Sequence, residues 1–185
     1  MDPEPDDRDL IHRVAAKDRQ AFEALYRRYG RRIFGYLWRR LRRREVAEEL
    51  LDDVMLVVWK SAERFDERSR LSTWLFGIAH KKALHAFRRF ARRSDEGTST
   101  TEGDAEPAAA DDPIQRVERR ELREALGRAL ESLSPEQRTV VELTFYEHRS
   151  YQEIAEITGA QVNTVKTRMF HARRRLAPLL NRLQG

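Results

Sequence analysis

The sequence predicts an all-α protein: two small helical domains joined by a flexible acidic linker, the second closing in a helix-turn-helix. Three observations predict it. Apolar residues recur every three or four positions along most of the chain, and no stretch alternates every second residue as a half-buried strand would. Residues 94–112, SDEGTSTTEGDAEPAAADD, interrupt that periodicity and hold no large apolar residue. Near the C-terminus, two short periodic segments flank Gly159 at the spacing of two helices around a tight turn.

Taken in order, the first ten residues, MDPEPDDRDL, are acidic and lack an apolar core, so no secretory signal is expected. The first helix is placed after Asp18, on Phe22, Leu25, Tyr26, Tyr29, Ile33, Tyr36, Leu37 and Leu41. A second runs from about Glu45 to Ser61, with Val46, Leu50, Val54, Val57 and Val58 inward and Glu48, Glu49, Asp52, Asp53 and Leu56 outward. A polar loop, Phe65 to Arg70, leads to a third long helix from about Leu71 to Arg92. Its inward positions are read as Leu71, Trp74, Leu75 and Ile78, with Lys81, Lys82, Arg88 and Arg89 along the later turns. These elements make residues 1–93 the first domain.

The 94–112 segment cannot bury enough surface to offset its ordering entropy and is read as a linker. As a random coil its ends would lie roughly 25 Å apart, and fully extended it could reach about 65 Å. The second domain, 113–185, opens on an Asp112-Pro113 helix start. Leu122, Leu126, Ala129, Leu130 and Leu133 form that helix's stripe. Ser134-Pro135-Glu136-Gln137 starts the next helix, through Val140, Val141, Leu143 and Phe145. Ser150 with Glu153 is a capping box, and Tyr151, Ile154, Ala155 and Thr158 are its helix's inward stripe. Gly159 stands where a left-handed C-terminal residue is needed.

The last helix has two chemically opposite faces. At about 100° per residue, Val165, Met169, Ala172 and Leu176 fall within roughly 60° of one another. Opposite lie Asn163, Thr167, Phe170, His171 and Arg174, flanked by Lys166, Arg168, Arg173 and Arg175. Such a helix can pack on a small domain and enter a DNA major groove. The alternative is a helical hairpin with a solvated basic face.

Charge is distributed in blocks. Of a net +5 overall, residues 21–93 hold 19 Lys and Arg against 9 Asp and Glu, residues 94–115 none against 7, and residues 116–185 13 against 9. Two basic blocks separated by an acidic connector suit phosphate contact. Cysteine is absent, which excludes disulfides, thiolate chemistry and Cys-based zinc sites. His80 and His85 stand five apart, off the spacing of a helical metal pair, and no Gly-rich phosphate loop is present. No metal, cofactor, small-molecule substrate or catalysis is therefore expected. The longest apolar run, Val54 to Trp59, is far short of a membrane span, so a cytoplasmic protein without membrane insertion is expected. At this point a stand-alone helix-turn-helix regulator and an adaptor whose acidic helix binds a protein both remain open.

Several segments together carry a family resemblance: AFEALYRRY, AEELLDDVMLVVWK and LSTWLFGIAHKKALHAFRR in the first half, and LESLSPEQRTVVEL, SYQEIAEITG and VNTVKTRMFHARRRL in the second. The chain resembles a sigma factor of the extracytoplasmic-function group, the smallest class of bacterial sigma-70-type initiation factors. The resemblance covers nearly the whole chain, and it implies core RNA polymerase, promoter DNA and an anti-sigma factor as partners. By the resemblance, the second helix docks on the polymerase clamp coiled coil through Glu48, Glu49, Asp52, Asp53 and Met55. The family usually has Gln in place of Asp52 and often Phe in place of Met55. The loop and the third helix would bind the −10 strand and capture a flipped base, through Arg68, Ser69, Arg70, Thr73, Phe76, His80, Lys81, Lys82, Arg88 and Arg89. The last helix would read the −35 element. Thr167, Phe170, His171 and Arg174 would lie nearest the base edges and Thr164, Lys166, Arg168 and Arg173 nearer phosphates, with Asn163 on the same DNA-binding face.

Overall fold

In the computed structural model, which describes residues 6–94, 127 and 129–181, the helices divide between two compact units. The first holds α1 (Asp7–Ala15), α2 (Arg19–Leu41), α3 (Arg44–Ser61), a 3₁₀ turn (Ala62–Arg64) and α4 (Leu71–Ser94). The second holds helical residues 129–131, then α5 (Pro135–Phe145), most of α6 (Tyr151–Thr158) and α7 (Val162–Asn181). Among the described residues there is no strand. The linker, the Asp112-Pro113 helix start, Leu122 and Leu126 lie outside the described residues.

Local chemistry accounts for the boundaries of the first unit. The Asp18 carboxylate accepts from the Gln20 and Ala21 amides at the start of α2. Arg13 donates to the same carboxylate at 2.7 Å, and this hydrogen bond with the backbone amides holds the Asp18 pKa below the usual carboxylate value. α2 ends at Arg42, a left-handed residue whose amide bonds back to Trp38 O. The core is Leu25, Ile33, Tyr36 and Leu37 of α2, Val54 and Val58 of α3, and Leu75, Phe76 and Ala79 of α4, all fully or almost fully buried.

Helix α1 is an addition to the sequence reading. Asp6 caps it through the Asp9 amide, and Leu10, Ile11 and Val14 are completely buried or nearly so. Burying each such side chain favours folding by about 1.5–3 kcal/mol. Asp7 accepts from Arg28 at 3.0 Å and from the Tyr29 hydroxyl, so α1 is pinned to α2 by polar as well as apolar contacts. Burial, and then the Asp7 carboxylate, push the Tyr29 hydroxyl well above its ordinary pKa.

In the second unit the expected capping box at Ser150 forms, and the capped start at Ser134 is a capping box as well. Ser134 pairs reciprocally with Gln137, and Ser150 with Glu153. α5 packs along α7, burying Val140 and Leu143 with Val165, Met169 and Ala172. Phe145, at the end of α5, is 56% exposed. Only Gly159, Ala160 and Gln161 separate α6 from α7, and Gly159 has φ +70°. A Cβ there would meet nothing within 4 Å. Gly159→Ala is therefore expected to destabilise the unit by about 1 kcal/mol through backbone strain alone, read as a lower urea midpoint with unchanged slope.

Candidate nucleic-acid interface

The two faces of α7 separate as its periodicity requires. Val165, Met169, Ala172 and Leu176 are buried. Asn163, Thr164, Lys166, Thr167, Phe170, His171, Arg173 and Arg174 are exposed, and Arg168 is half-buried. Phe170, 57% exposed, meets the His171 ring edge-on at 5.5 Å. The Arg174 guanidinium lies 5.7 Å from the Phe170 centroid. These three make one amphipathic tip with a flat apolar ring between two hydrogen-bonding groups. Thr167 donates its hydroxyl to Asn163 O at 3.0 Å, leaving its oxygen free to accept. Asn163, Thr164, Thr167, Arg168 and His171 also line a shallow groove with Ser134, Glu136 and Gln137 at the start of α5.

The first unit presents its cations along α4 and the loop before it. Lys81, Arg88 and Arg89 are exposed, as are Arg68 and Arg70, while Ser69 is half-buried. Two residues expected to face a ligand are interior instead. Thr73 is 2% exposed and Phe76 0%. Phe76 packs edge-on against Tyr36 at 5.6 Å. The reason is the true buried arc of α4, which runs through Leu75, Phe76, Ala79, Ala83 and Ala86. That arc turns Trp74 and Ile78, expected inward, to half-buried positions. Trp74 then stacks obliquely on Phe65 of the loop at 5.5 Å and shares the outer arc with Gly77, Lys81 and Arg88. His80 is half-buried, and its Nδ1 takes part in a 2.8 Å hydrogen bond with the Tyr36 hydroxyl.

The outer face of α3 is acidic with an apolar groove beside it. Glu48, Glu49 and Asp52 are exposed and Asp53 half-exposed. Met55, assigned to this face, is 2% exposed, because position 55 lies on the inner arc with Leu51 and Val58. Its neighbour Leu56 is 47% exposed and takes the outward place. Phe22, Tyr26, Leu56 and Trp59, with Arg19, Glu23, Asp52 and the edge of Met55, line a groove of about 540 Å³ between α2 and α3. Tyr26 hydrogen-bonds to Asp52, and burial followed by that carboxylate raises its pKa. Asp53 and Lys82, assigned to different partners, face each other at 2.7 Å.

Comparison with known proteins places the chain in a family. Residues 25–93 match the family model described as Sigma-70 region 2, and residues 123–176 the one described as Sigma-70, region 4. The ECF RNA polymerase sigma factor SigK of Mycobacterium sp. (strain KMS) is 34% identical over 169 residues, spanning 86% of this chain and 83% of the relative. The RNA polymerase sigma factor YlaC of Bacillus subtilis (strain 168) is 32% identical over 157 residues, spanning 85% and 90%. This chain belongs to the extracytoplasmic-function group of sigma-70 factors. The fold agrees: the sigma factor RpoE of Bartonella quintana, solved with the anti-sigma factor NepR, superposes with a TM-score of 0.70 over 86% of this chain and 96% of that one, at 24% identity.

In this sigma factor the sequence missed two kinds of residue. Tyr26, read on the apolar stripe, is exposed, and Leu56, read outward but left out of the polymerase-facing set, lies beside it at the acidic face, a juxtaposition that only the α2–α3 packing creates. Phe87, 47% exposed on α4, was likewise unassigned. Among the described residues, no helix is long and apolar enough to cross a membrane, and no group of three or more His, Asp or Glu could hold a metal ion.

Proposed function

We propose that this sigma factor binds core RNA polymerase and directs initiation at promoters whose −10 and −35 elements it reads with separate surfaces. Residues 1–93 form the −10 lobe and 113–185 the −35 lobe, with 94–112 as their tether. The protein does no chemistry itself and works in the cytoplasm, where polymerase and template are. The observation that carries the proposal is α7, apolar within and donor-rich without, on the same chain as a second cationic helix and an acidic, partly apolar face.

Polymerase engages Glu48, Glu49, Asp52 and Leu56, since an acidic face within a basic unit repels DNA. The −10 strand runs along Arg70, Trp74, Lys81 and Arg88, with Trp74 as a stacking surface. α6, the Gly159 turn and α7 act as a helix-turn-helix, with Phe170, His171 and Arg174 at base edges and Lys166 and Arg173 at phosphates. Tethering makes the second contact nearly intramolecular. An anti-sigma factor is the regulator this arrangement calls for; the Bartonella quintana neighbour was solved with one.

Run-off transcription with core polymerase tests the reading. Promoter-specific product is expected with polymerase, and tight palindrome binding without polymerase would replace the reading by a stand-alone regulator. Across −35 variants, Arg173→Ala is expected to weaken every template alike and reduce the salt slope by about one. Phe170→Ala and His171→Ala should instead change the ranking of templates. Equal effects of all three would reject the assignment of faces.

A further inference from the structure

α1 lies ahead of residues 25–93, the part that matches the region 2 model, yet it reaches the loop before α4. Arg8 and His12 stand one turn apart on α1, so their side chains share a face. Both bind a single loop residue, Glu67. Arg8 Nε meets Glu67 Oε2 at 2.8 Å, and His12 Nε2 meets Oε1 at 2.6 Å. Glu67 has φ +58°, a left-handed conformation that L residues adopt uncommonly and that neighbours must enforce. One donor on each carboxylate oxygen supplies that constraint.

The support under this contact is rigid. Leu10, Ile11 and Val14 sink into the core, Asp7 holds Arg28 and Tyr29, and Arg13 holds Asp18. On the loop side, Asp66 accepts from the Arg68 amide at 3.2 Å and pairs with Arg68 Nε at 3.2 Å. Arg70 O accepts from the Thr73 amide at 2.9 Å, so the loop's end is fixed to α4. Between two fixed ends, the φ of Glu67 sets where Arg68, Ser69 and Arg70 point. We infer that α1 is a positioning strut: through Arg8 and His12 it holds Glu67, and thereby sets which base the 65–70 loop accepts.

This inference rests on the reading that the loop receives a −10 base, and the experiment separates the two. The assay is holoenzyme binding to single-stranded −10 oligonucleotides carrying each base in turn, with Glu67→Gln, Arg8→Glu, the double change Arg8→Glu with Glu67→Arg, and Arg70→Ala. Glu67→Gln and Arg8→Glu are expected to shift the base-preference ratio at one −10 position about threefold to tenfold. Core polymerase affinity and −35 preference should stay unchanged, and the double change, which remakes the ion pair between positions 8 and 67 but not the His12 contact, should restore the ratio in part. Loss of strut residues without a shift, while Arg70→Ala still alters preference, would overturn the strut alone. Unchanged ratios in all variants, Arg70→Ala included, would overturn the loop reading with it. A structural role alone lowers affinity for all four bases together and gains nothing from the charge swap.

Discussion

Phe76→Ala is expected to destabilise the first unit by about 3–5 kcal/mol, the range for deleting a fully buried phenyl ring. The ring is 0% exposed. It rests edge-on against Tyr36 at 5.6 Å, and the Arg32 guanidinium sits 5.8 Å from its centroid. Truncation removes those contacts and leaves a cavity among side chains held by three helices, which cannot close it without moving backbone. Against a total stability of about 5–15 kcal/mol, such a loss lowers the melting midpoint by roughly 15 °C or more. Phe87→Ala, at a 47% exposed site on the same helix, should change stability by only about 0.5 kcal/mol. Circular dichroism melts of both variants decide the point. An unchanged midpoint for Phe76→Ala, with −10 recognition lost, would return that side chain to the DNA-contacting set.

Phe76 also marks where the sequence stops being legible. On α7 the buried residues Val165, Met169 and Leu176 are bulky and the outer ones, Phe170 apart, are polar, so periodicity separates the faces. The capping boxes at Ser134 and Ser150 and the left-handed Gly159 are equally local, and each is read from a few adjacent residues. On α4 the buried arc is built largely from Ala79, Ala83 and Ala86. Small residues let α4 lie close to its neighbours but carry little hydrophobic weight, so bulk points toward Trp74 and Ile78 instead. α1 fails for a related reason: its whole apolar stripe is Leu10, Ile11 and Val14, set in an acidic stretch that reads as a tail. The Lys82–Asp53 pair spans 29 residues and two helices. No local pattern can announce it.

Leu56→Arg is expected to weaken core polymerase binding about 30-fold or more while leaving the fold intact. Side chains that anchor an interface cost about 2 kcal/mol or more when lost, and 1.4 kcal/mol is tenfold in affinity. Leu56 is 47% exposed, so replacing it opens no cavity. The new guanidinium would lie among Glu48, Glu49 and Asp52, where it is tolerated in the free protein and can pair. Once polymerase docks, the same cation withdraws the apolar anchor from the groove of Phe22, Tyr26 and Trp59 and neutralises part of the acidic face. Both effects act on the bound state alone, so affinity falls without a matching fall in melting temperature. Fluorescence anisotropy of labelled protein titrated with core polymerase measures the change, and Leu56→Met, which keeps the apolar contact, should bind within about twofold of the parent. If Leu56→Arg also binds within twofold, polymerase docks elsewhere, and the α2–α3 groove is the wrong surface.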